Sequence, residues 1–92
     1  MPNLVLKYFS TPTCNVCKVL RPKVEDLVEK SNGWNFQYVD TTQSPEIAGQ
    51  NLIFAVPTIL LIVQGKEVKR FSRNVSLYEL EQTLNKYSSI LG

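Results

Sequence analysis

Two cysteines separated by two residues, Cys14 and Cys17, are the side chains of this sequence best suited to chemistry. Residues three apart share one face of a helix, so the two sulfur atoms can come close enough to form a disulfide. Such a pair would support one two-electron cycle. Cys14 would attack a disulfide as a thiolate, and Cys17 would then attack Cys14 and release the reduced product.

The cysteine pair falls where a predicted strand ends and a predicted helix begins. A helix N-terminus carries unpaired backbone N–H groups and about half a positive charge, both of which stabilise an anion. We therefore expect the Cys14 thiolate to be stabilised at this position, with Lys18 adding a nearby positive charge.

Two other interpretations of the cysteines stay open on the residues alone. One is half of a zinc site, which would need carboxylate ligands or a second copy of the chain, because the sequence has no histidine and no third cysteine. The other is a pair of inert, buried cysteines. The strand–helix context favours redox chemistry over both.

Composition excludes several classes of protein. The chain has 92 residues, 43% of them hydrophobic and 20% charged, which predicts one folded domain over residues 1–92 rather than a disordered chain. No apolar run approaches the ~20 residues that cross a bilayer. The net charge of +2 comes without a basic stripe, so we expect neither nucleic-acid nor membrane binding. The first residues lack the features of a signal peptide, which favours a cytoplasmic location.

The apolar pattern predicts seven elements in the order β-α-β-α-β-β-α. Pro22 lies inside the first helix and is expected to kink it. A final helix should begin at the capping sequence after Ser76. The predicted strands cover residues 4–9, 35–40, 58–63 and 67–71, and the first two helices cover residues 14–30 and 45–49.

This order of elements predicts an α/β fold with a four-stranded mixed sheet and helices on both faces. The first two strands flank a helix and should be parallel, with a right-handed crossover. The last two should form an antiparallel hairpin around residues 64–66.

The sequence resembles the thioredoxin superfamily over residues 4–90. The resemblance is greatest to thioredoxins themselves. This sequence lacks the first strand and helix that full-length thioredoxins carry. It rests on six features: the strand before the Cys-x-x-Cys, Lys18, Pro22, Asp40 at the end of the second strand, Val56-Pro57-Thr58, and the hairpin glycine Gly65.

The resemblance implies a thioredoxin-like fold and a thiol–disulfide oxidoreductase that reduces protein disulfides with Cys14 as nucleophile and Cys17 as resolving thiol. It implies that a flavoprotein thioredoxin reductase recharges the protein with electrons from NADPH. We expect a monomer with no bound cofactor. The resemblance also implies a cis Val56–Pro57 bond beside the cysteines. The implied substrate-binding residues are Thr13, Val16, Val56, Pro57 and Arg73.

The sequence departs from the superfamily beneath the cysteines. Tyr8 stands where an aspartate usually helps to move the proton of the second cysteine, and Phe36 stands where its lysine partner is common. Both charges are lost together, so neither is left buried alone. We expect Cys17 to rely on water or on the Cys14 thiolate for its deprotonation, unless Tyr8 only packs in the core.

Further departures lie around the expected groove. Thr13 replaces a tryptophan, Asn15 and Val16 replace Gly-Pro, and Arg73 replaces a glycine. Arg73 at the groove rim would favour acidic substrate segments, unless it is an ordinary surface residue. Phe54 is expected to be either an exposed apolar contact near the site or part of the core.

Two alternative functions stay open at this point. A glutaredoxin-like, glutathione-linked oxidoreductase fits the short chain. Glutaredoxins share a Gly-Gly stretch that binds glutathione after the last strand, whereas the corresponding stretch here, Phe71-Ser72-Arg73-Asn74, has no glycine pair. A non-catalytic binding module with this fold is the other, and the retention of both cysteines argues against it.

Overall fold

The computed structural model of the chain describes residues 3–91 and has the predicted order of elements. The apolar runs and the turn residues account for four strands and three helices, and only the last two strands follow each other without a helix between them. The strands are β1 (Leu4–Ser10), β2 (Trp34–Asp40), β3 (Thr58–Val63) and β4 (Lys66–Ser72). The helices are α1 (Asn15–Lys30), α2 (Pro45–Gln50) and α3 (Leu77–Leu91).

The sheet has the strand order β2-β1-β3-β4. β1 runs parallel to β2 and antiparallel to β3, and β3 and β4 form an antiparallel hairpin. The predicted mixed sheet is therefore confirmed. Because β1 is an interior strand with partners on both sides, its end is held firmly where the cysteine loop begins.

One face of the sheet is covered by α1 and α3. Leu4, Leu6 and Tyr8 alternate along β1 on this face and are fully buried. Trp34 lies on the same face, and its Nε1 donates a hydrogen bond to the Leu84 carbonyl oxygen at 2.9 Å. The main core residues contributed by the two helices are Cys17, Val24, Val28, Leu80 and Leu84.

The opposite face carries the alternate residues of the same strands. Phe9 and Leu60 are fully buried there. Arg70 is the register partner of Leu60, and its guanidinium donates hydrogen bonds to the carbonyl oxygens of Asn51 and Leu52, just after α2. These contacts place the end of α2 over this face, as the prediction of helices on both faces requires.

Several element ends differ from the prediction by one residue. Cys14 is the N-cap of α1, which begins at Asn15 and runs through Pro22 to Lys30. α2 passes the predicted stop at Gly49 because Asn51 caps it, with both its backbone N–H and its side-chain amide donating to the Ile47 carbonyl oxygen. Within residues 3–91 no helix is long and apolar enough to cross a bilayer.

Candidate active site

The two cysteines lie at the junction of β1 and α1, at the edge of the sheet where both parallel strands end. A turn carries the chain from β1 into the helix, and the Cys14 N–H closes it by donating to the Thr11 carbonyl oxygen at 3.2 Å. Cys14 has an extended backbone (φ −82°, ψ 102°), which is the usual conformation of an N-cap residue. The sulfur of Cys14 therefore occupies the position at which a helix stabilises an anion.

Cys14 and Cys17 are joined by a disulfide whose Cα atoms are 5.2 Å apart. The backbone N–H of Cys17 donates to the Cys14 sulfur at 3.1 Å. That N–H is one of the donors that a helix N-terminus leaves without an intrahelical partner. A negative charge on Cys14 would strengthen this contact, because hydrogen bonds to ionised acceptors are stronger than those to neutral ones.

The two sulfurs differ sharply in accessibility. Cys17 is only 1% exposed and belongs to the buried core, whereas Cys14 is half-buried at its margin. A substrate disulfide can therefore approach Cys14, while Cys17 reaches only a sulfur already bound to Cys14.

Tyr8 fills the space beneath the second cysteine. Its ring is fully buried, and its hydroxyl donates to the Cys17 carbonyl oxygen at 2.8 Å. Burial, followed by the neighbouring Tyr38, raises the pKa of Tyr8 to about 12. The hydroxyl thus stays protonated at physiological pH and fixes the first turn of α1 as a hydrogen-bond donor.

An aromatic stack extends from Tyr8 to the edge of the sheet. The Tyr8 ring centroid lies 5.9 Å from that of Phe36 and 6.2 Å from that of Tyr38. The Arg21 guanidinium lies 4.0 Å from the Tyr38 centroid and forms an exposed ion pair with Glu25. Rings therefore occupy the space in which the resemblance leads one to expect a buried carboxylate and lysine.

The Val56–Pro57 segment and the loop after β4 form the other border of the site. The Val56–Pro57 peptide bond is cis, as the resemblance implied. The Pro57 carbonyl oxygen accepts a hydrogen bond from the Arg73 N–H at 2.8 Å, and Arg73 has a positive φ of 64°. This hydrogen bond holds the Arg73 backbone against the start of β3 and leaves its side chain exposed.

Most of the predicted substrate-binding residues line surface concavities at the site. Val16 and Arg73 share one of about 390 Å³, and Val56 lines a second of about 240 Å³ with Thr11 and Phe54. Thr13 is exposed and lines neither, and Pro57 is buried. The structure thus brings Val16 and Arg73 together on one side of the site and places Val56 on the other.

Other residues of the site were missed by the sequence reasoning. Leu20 and Lys23 lie beside Val16 on α1, and Val75 faces them from the loop after β4. Residues 16, 19, 20 and 23 have the spacing of one helix face. This face was not predicted, because the prediction considered only the buried face of the same helix, which includes Val24. The prediction left undecided whether Phe54 is exposed or part of the core, and the structure shows it 86% exposed.

Within the part of the chain that the structure describes, no three His, Cys, Asp or Glu side chains group together as metal ligands would.

Comparisons with known proteins match this geometry. The sequence model of the thioredoxin family matches residues 2–86. The chain is 30% identical over 79 residues to thioredoxin-like protein YdfQ of Bacillus subtilis (86% of this chain, 70% of YdfQ), and 31% identical over 86 residues to thioredoxin of Porphyra purpurea (92% and 80%). The solved structure of thioredoxin 1 from Thermosipho africanus superposes with a TM-score of 0.85 at 31% identity, covering 94% of this chain and 96% of the other.

Together with the Cys14–Cys17 disulfide, these similarities favour a thioredoxin-type activity over a glutaredoxin-like one and over a non-catalytic binding module. The chain belongs to the thioredoxin family and is a thiol–disulfide oxidoreductase.

Proposed function

We propose that this protein reduces disulfides in other proteins, with Cys14 as the attacking thiolate and Cys17 as the resolving thiol. The contrast between the two sulfurs carries the proposal. Cys14 is accessible at a helix N-terminus and accepts a backbone hydrogen bond, whereas Cys17 is buried below it. Both features favour a thiolate at Cys14 and attack by that thiolate.

The proposed cycle has two exchange steps. The Cys14 thiolate attacks one sulfur of the substrate disulfide, that disulfide bond breaks, and the other substrate sulfur leaves as a thiolate and takes up a proton. Cys17 then loses its proton and attacks the Cys14 sulfur, which breaks the mixed disulfide and releases the second substrate thiolate. Two electrons pass to the substrate, and the cysteine pair becomes the intramolecular disulfide.

The second step runs without a carboxylate base in this proposal. Tyr8 occupies the place of that base, but its pKa of about 12 keeps it protonated. Its hydroxyl is also engaged with the Cys17 carbonyl oxygen rather than with the sulfur. We therefore propose that solvent water accepts the proton that Cys17 loses.

The proposed substrate groove passes over the cysteines between the two concavities. Val56 offers its backbone to a substrate segment in extended form, beside Pro57. Val16 and Arg73 contact the segment on one side, and Thr13 lies at the rim beside Cys14. The exposed apolar surface near the cysteines supports this assignment.

We further propose that the protein acts as a cytoplasmic, single-domain monomer without a bound cofactor. A flavoprotein thioredoxin reductase would regenerate the dithiol with electrons from NADPH. Membership of the thioredoxin family supports these proposals. A coupled assay with purified reductase, NADPH and a disulfide protein tests the electron route, and size-exclusion chromatography with light scattering tests the monomer.

Matched cysteine variants test the roles of the two sulfurs. Cys17→Ser should accumulate a mixed disulfide with a protein substrate, visible by mass spectrometry and released by a small thiol. Cys14→Ser, the control, should trap nothing and turn over no substrate. Trapping by Cys14→Ser instead would reverse the two roles, and trapping by neither variant would refute the cycle.

The direction of electron flow is tested by the reduction potential of the cysteine pair. Equilibration in graded thiol–disulfide buffers followed by alkylation and mass measurement gives this value directly. A potential near the thioredoxin value of about −270 mV, or lower, would support a reductant. A potential near −180 mV or above would contradict it in favour of an oxidant or isomerase.

A further inference from the structure

An apolar trough runs along α1 from Asn15 and Val16, the two residues between the cysteines. Two adjoining concavities of about 390 and 490 Å³ share Val16, Leu20 and Val75, and we call them together the α1 trough. Val16 and Val19 are 61% and 62% exposed on its wall. Apolar side chains left open beside a reactive disulfide indicate a surface that receives part of another chain.

The charges on the α1 trough have one sign. Arg73, which is hydrogen-bonded to Pro57, lines the concavity of about 390 Å³, and Lys23 lines that of about 490 Å³. The linings include no carboxylate. Among residues 3–91 neither Arg73 nor Lys23 forms a salt bridge, in contrast to four other basic residues: Arg21, Lys30, Lys69 and Arg70. Two basic groups without intramolecular partners at an apolar groove are complementary to an acidic occupant.

The backbone of Arg73 provides an independent observation. Its φ of 64° lies in the left-handed region, which is unfavourable for a residue with a Cβ atom and easy for glycine. The hydrogen bond to Pro57 holds it there. Glycine would occupy this position without strain, and the arginine found there places a positive charge at the α1 trough.

The length of the α1 trough sets the size of the occupant. Lys23 is nine residues beyond Cys14, which corresponds to ~13.5 Å at the helical rise of ~1.5 Å per residue. An extended peptide advances ~3.3 Å per residue, so about four residues span that distance. In a peptide whose cysteine is attacked by Cys14, the residue four positions from that cysteine would therefore lie near Lys23.

We propose that the α1 trough selects protein disulfides whose attacked cysteine is followed or preceded, within about four residues, by acidic side chains, with an apolar side chain between them. Arg73 and Lys23 bind the acidic groups, and Val16, Leu20 and Val75 bind the apolar one. The selection rests on the proposed reduction of protein disulfides and specifies its substrates.

Two matched peptides test the selection. Each contains one cysteine, blocked as a disulfide with a chromogenic aromatic thiol, and leucines two positions away on either side. One peptide carries aspartates at the fourth positions on both sides, and the other carries lysines there. The rate constant for thiol release by the reduced protein should be about fivefold higher for the aspartate peptide at low salt. It should approach equality at high salt, because surface charges are then screened.

Variants of the chain separate charge from backbone strain. Arg73→Gly and Lys23→Gln should each lower the aspartate preference about twofold, and the double variant should abolish it. Gln64→Gly is the matched control, because Gln64 also has a positive φ but lies in the β3–β4 turn, at the end of the strands away from the cysteines. It should keep the full preference, and neither glycine variant should lower the urea midpoint.

The outcomes distinguish this selection from the oxidoreductase function itself. Equal rates with the two peptides, or a preference that survives in the double variant, would overturn the selection while leaving the reduction of disulfides in place. If the reduced protein released the chromogenic thiol from neither peptide, the proposed function would fail and the selection with it.

Discussion

Replacement of Tyr8 by phenylalanine tests whether its hydroxyl holds the first turn of α1. The variant keeps the fully buried ring and removes only the donor that lies 2.8 Å from the Cys17 carbonyl oxygen. A hydrogen bond of this kind contributes about 0.5–1.5 kcal/mol to stability. We therefore expect the free energy of unfolding to fall by about 1 kcal/mol, and the melting temperature by about 4–8 °C for a domain of this size.

Urea unfolding of the oxidised protein measures this change, with Tyr38→Phe as the control. Tyr38 belongs to the same stack, but its ring is 37% exposed, so the loss of its hydroxyl should cost less than about 0.5 kcal/mol. Equal stability of the two variants would refute the positioning role of Tyr8.

A pH series gives a second measurement on the same variant. The folded-state pKa of Tyr8 is raised to about 12, so its contribution to stability is present below the unfolded pKa of about 10 and is lost as the pH rises towards 12. Stability of the parent protein should therefore decline more steeply between pH 10 and pH 12 than that of Tyr8→Phe. Parallel curves would contradict the raised pKa.

Three further predictions concern the proton of Cys17, the support of α2 and the acid limit of the fold. Tyr8→Asp should accelerate resolution of the mixed disulfide near pH 7, measured by stopped-flow, because a carboxylate would then lie beneath Cys17; an unchanged or slower rate would contradict this. Arg70→Met should lower the free energy of unfolding in urea by about 1–3 kcal/mol, because it removes hydrogen bonds to two carbonyl oxygens and to a carboxylate; a loss below about 0.5 kcal/mol would show that these bonds matter little. The Thr42 hydroxyl lowers the pKa of Asp40, so Thr42→Val should lose stability at pH 6 relative to the parent, and the difference should disappear as the pH falls below about 4; a difference independent of pH would point to packing instead.

The strands and the cysteine position were predictable because they follow from local patterns. β1 is apolar apart from Lys7 and its last residue, Ser10, and the Cys-x-x-Cys follows the short break after it. Element ends were less predictable because long-range contacts set them. Trp34 joins β2 as the register partner of Leu4, and its indole N–H is bound by α3 at Leu84. No local signal carries that information.

The α1 trough shows a second limit of sequence reasoning. Its walls come from α1 and from the loop after β4, which are more than forty residues apart along the chain. Arg73 was identified only because glycine is common at that position in the superfamily, and its positive φ follows from the path of the loop past Pro57. Residue spacing predicts neither that Arg73 and Lys23 lie on the same trough nor that Arg73 has a positive φ.

The position of β1 has a consequence for newly synthesised copies of the protein. β1 leaves the ribosome before β2, β3 and β4, yet it is an interior strand, and the β3 partner of Leu4 is Val63. At ~5–20 residues per second, the nascent chain carries β1 for about 3–12 s before that partner exists. During this interval the core cluster that buries Cys17 lacks its residues from β4 and α3, which include Phe71, Leu80 and Leu84. The difference in burial between the two thiols is thus acquired only late in translation, and until then we expect a foreign disulfide to react with either one.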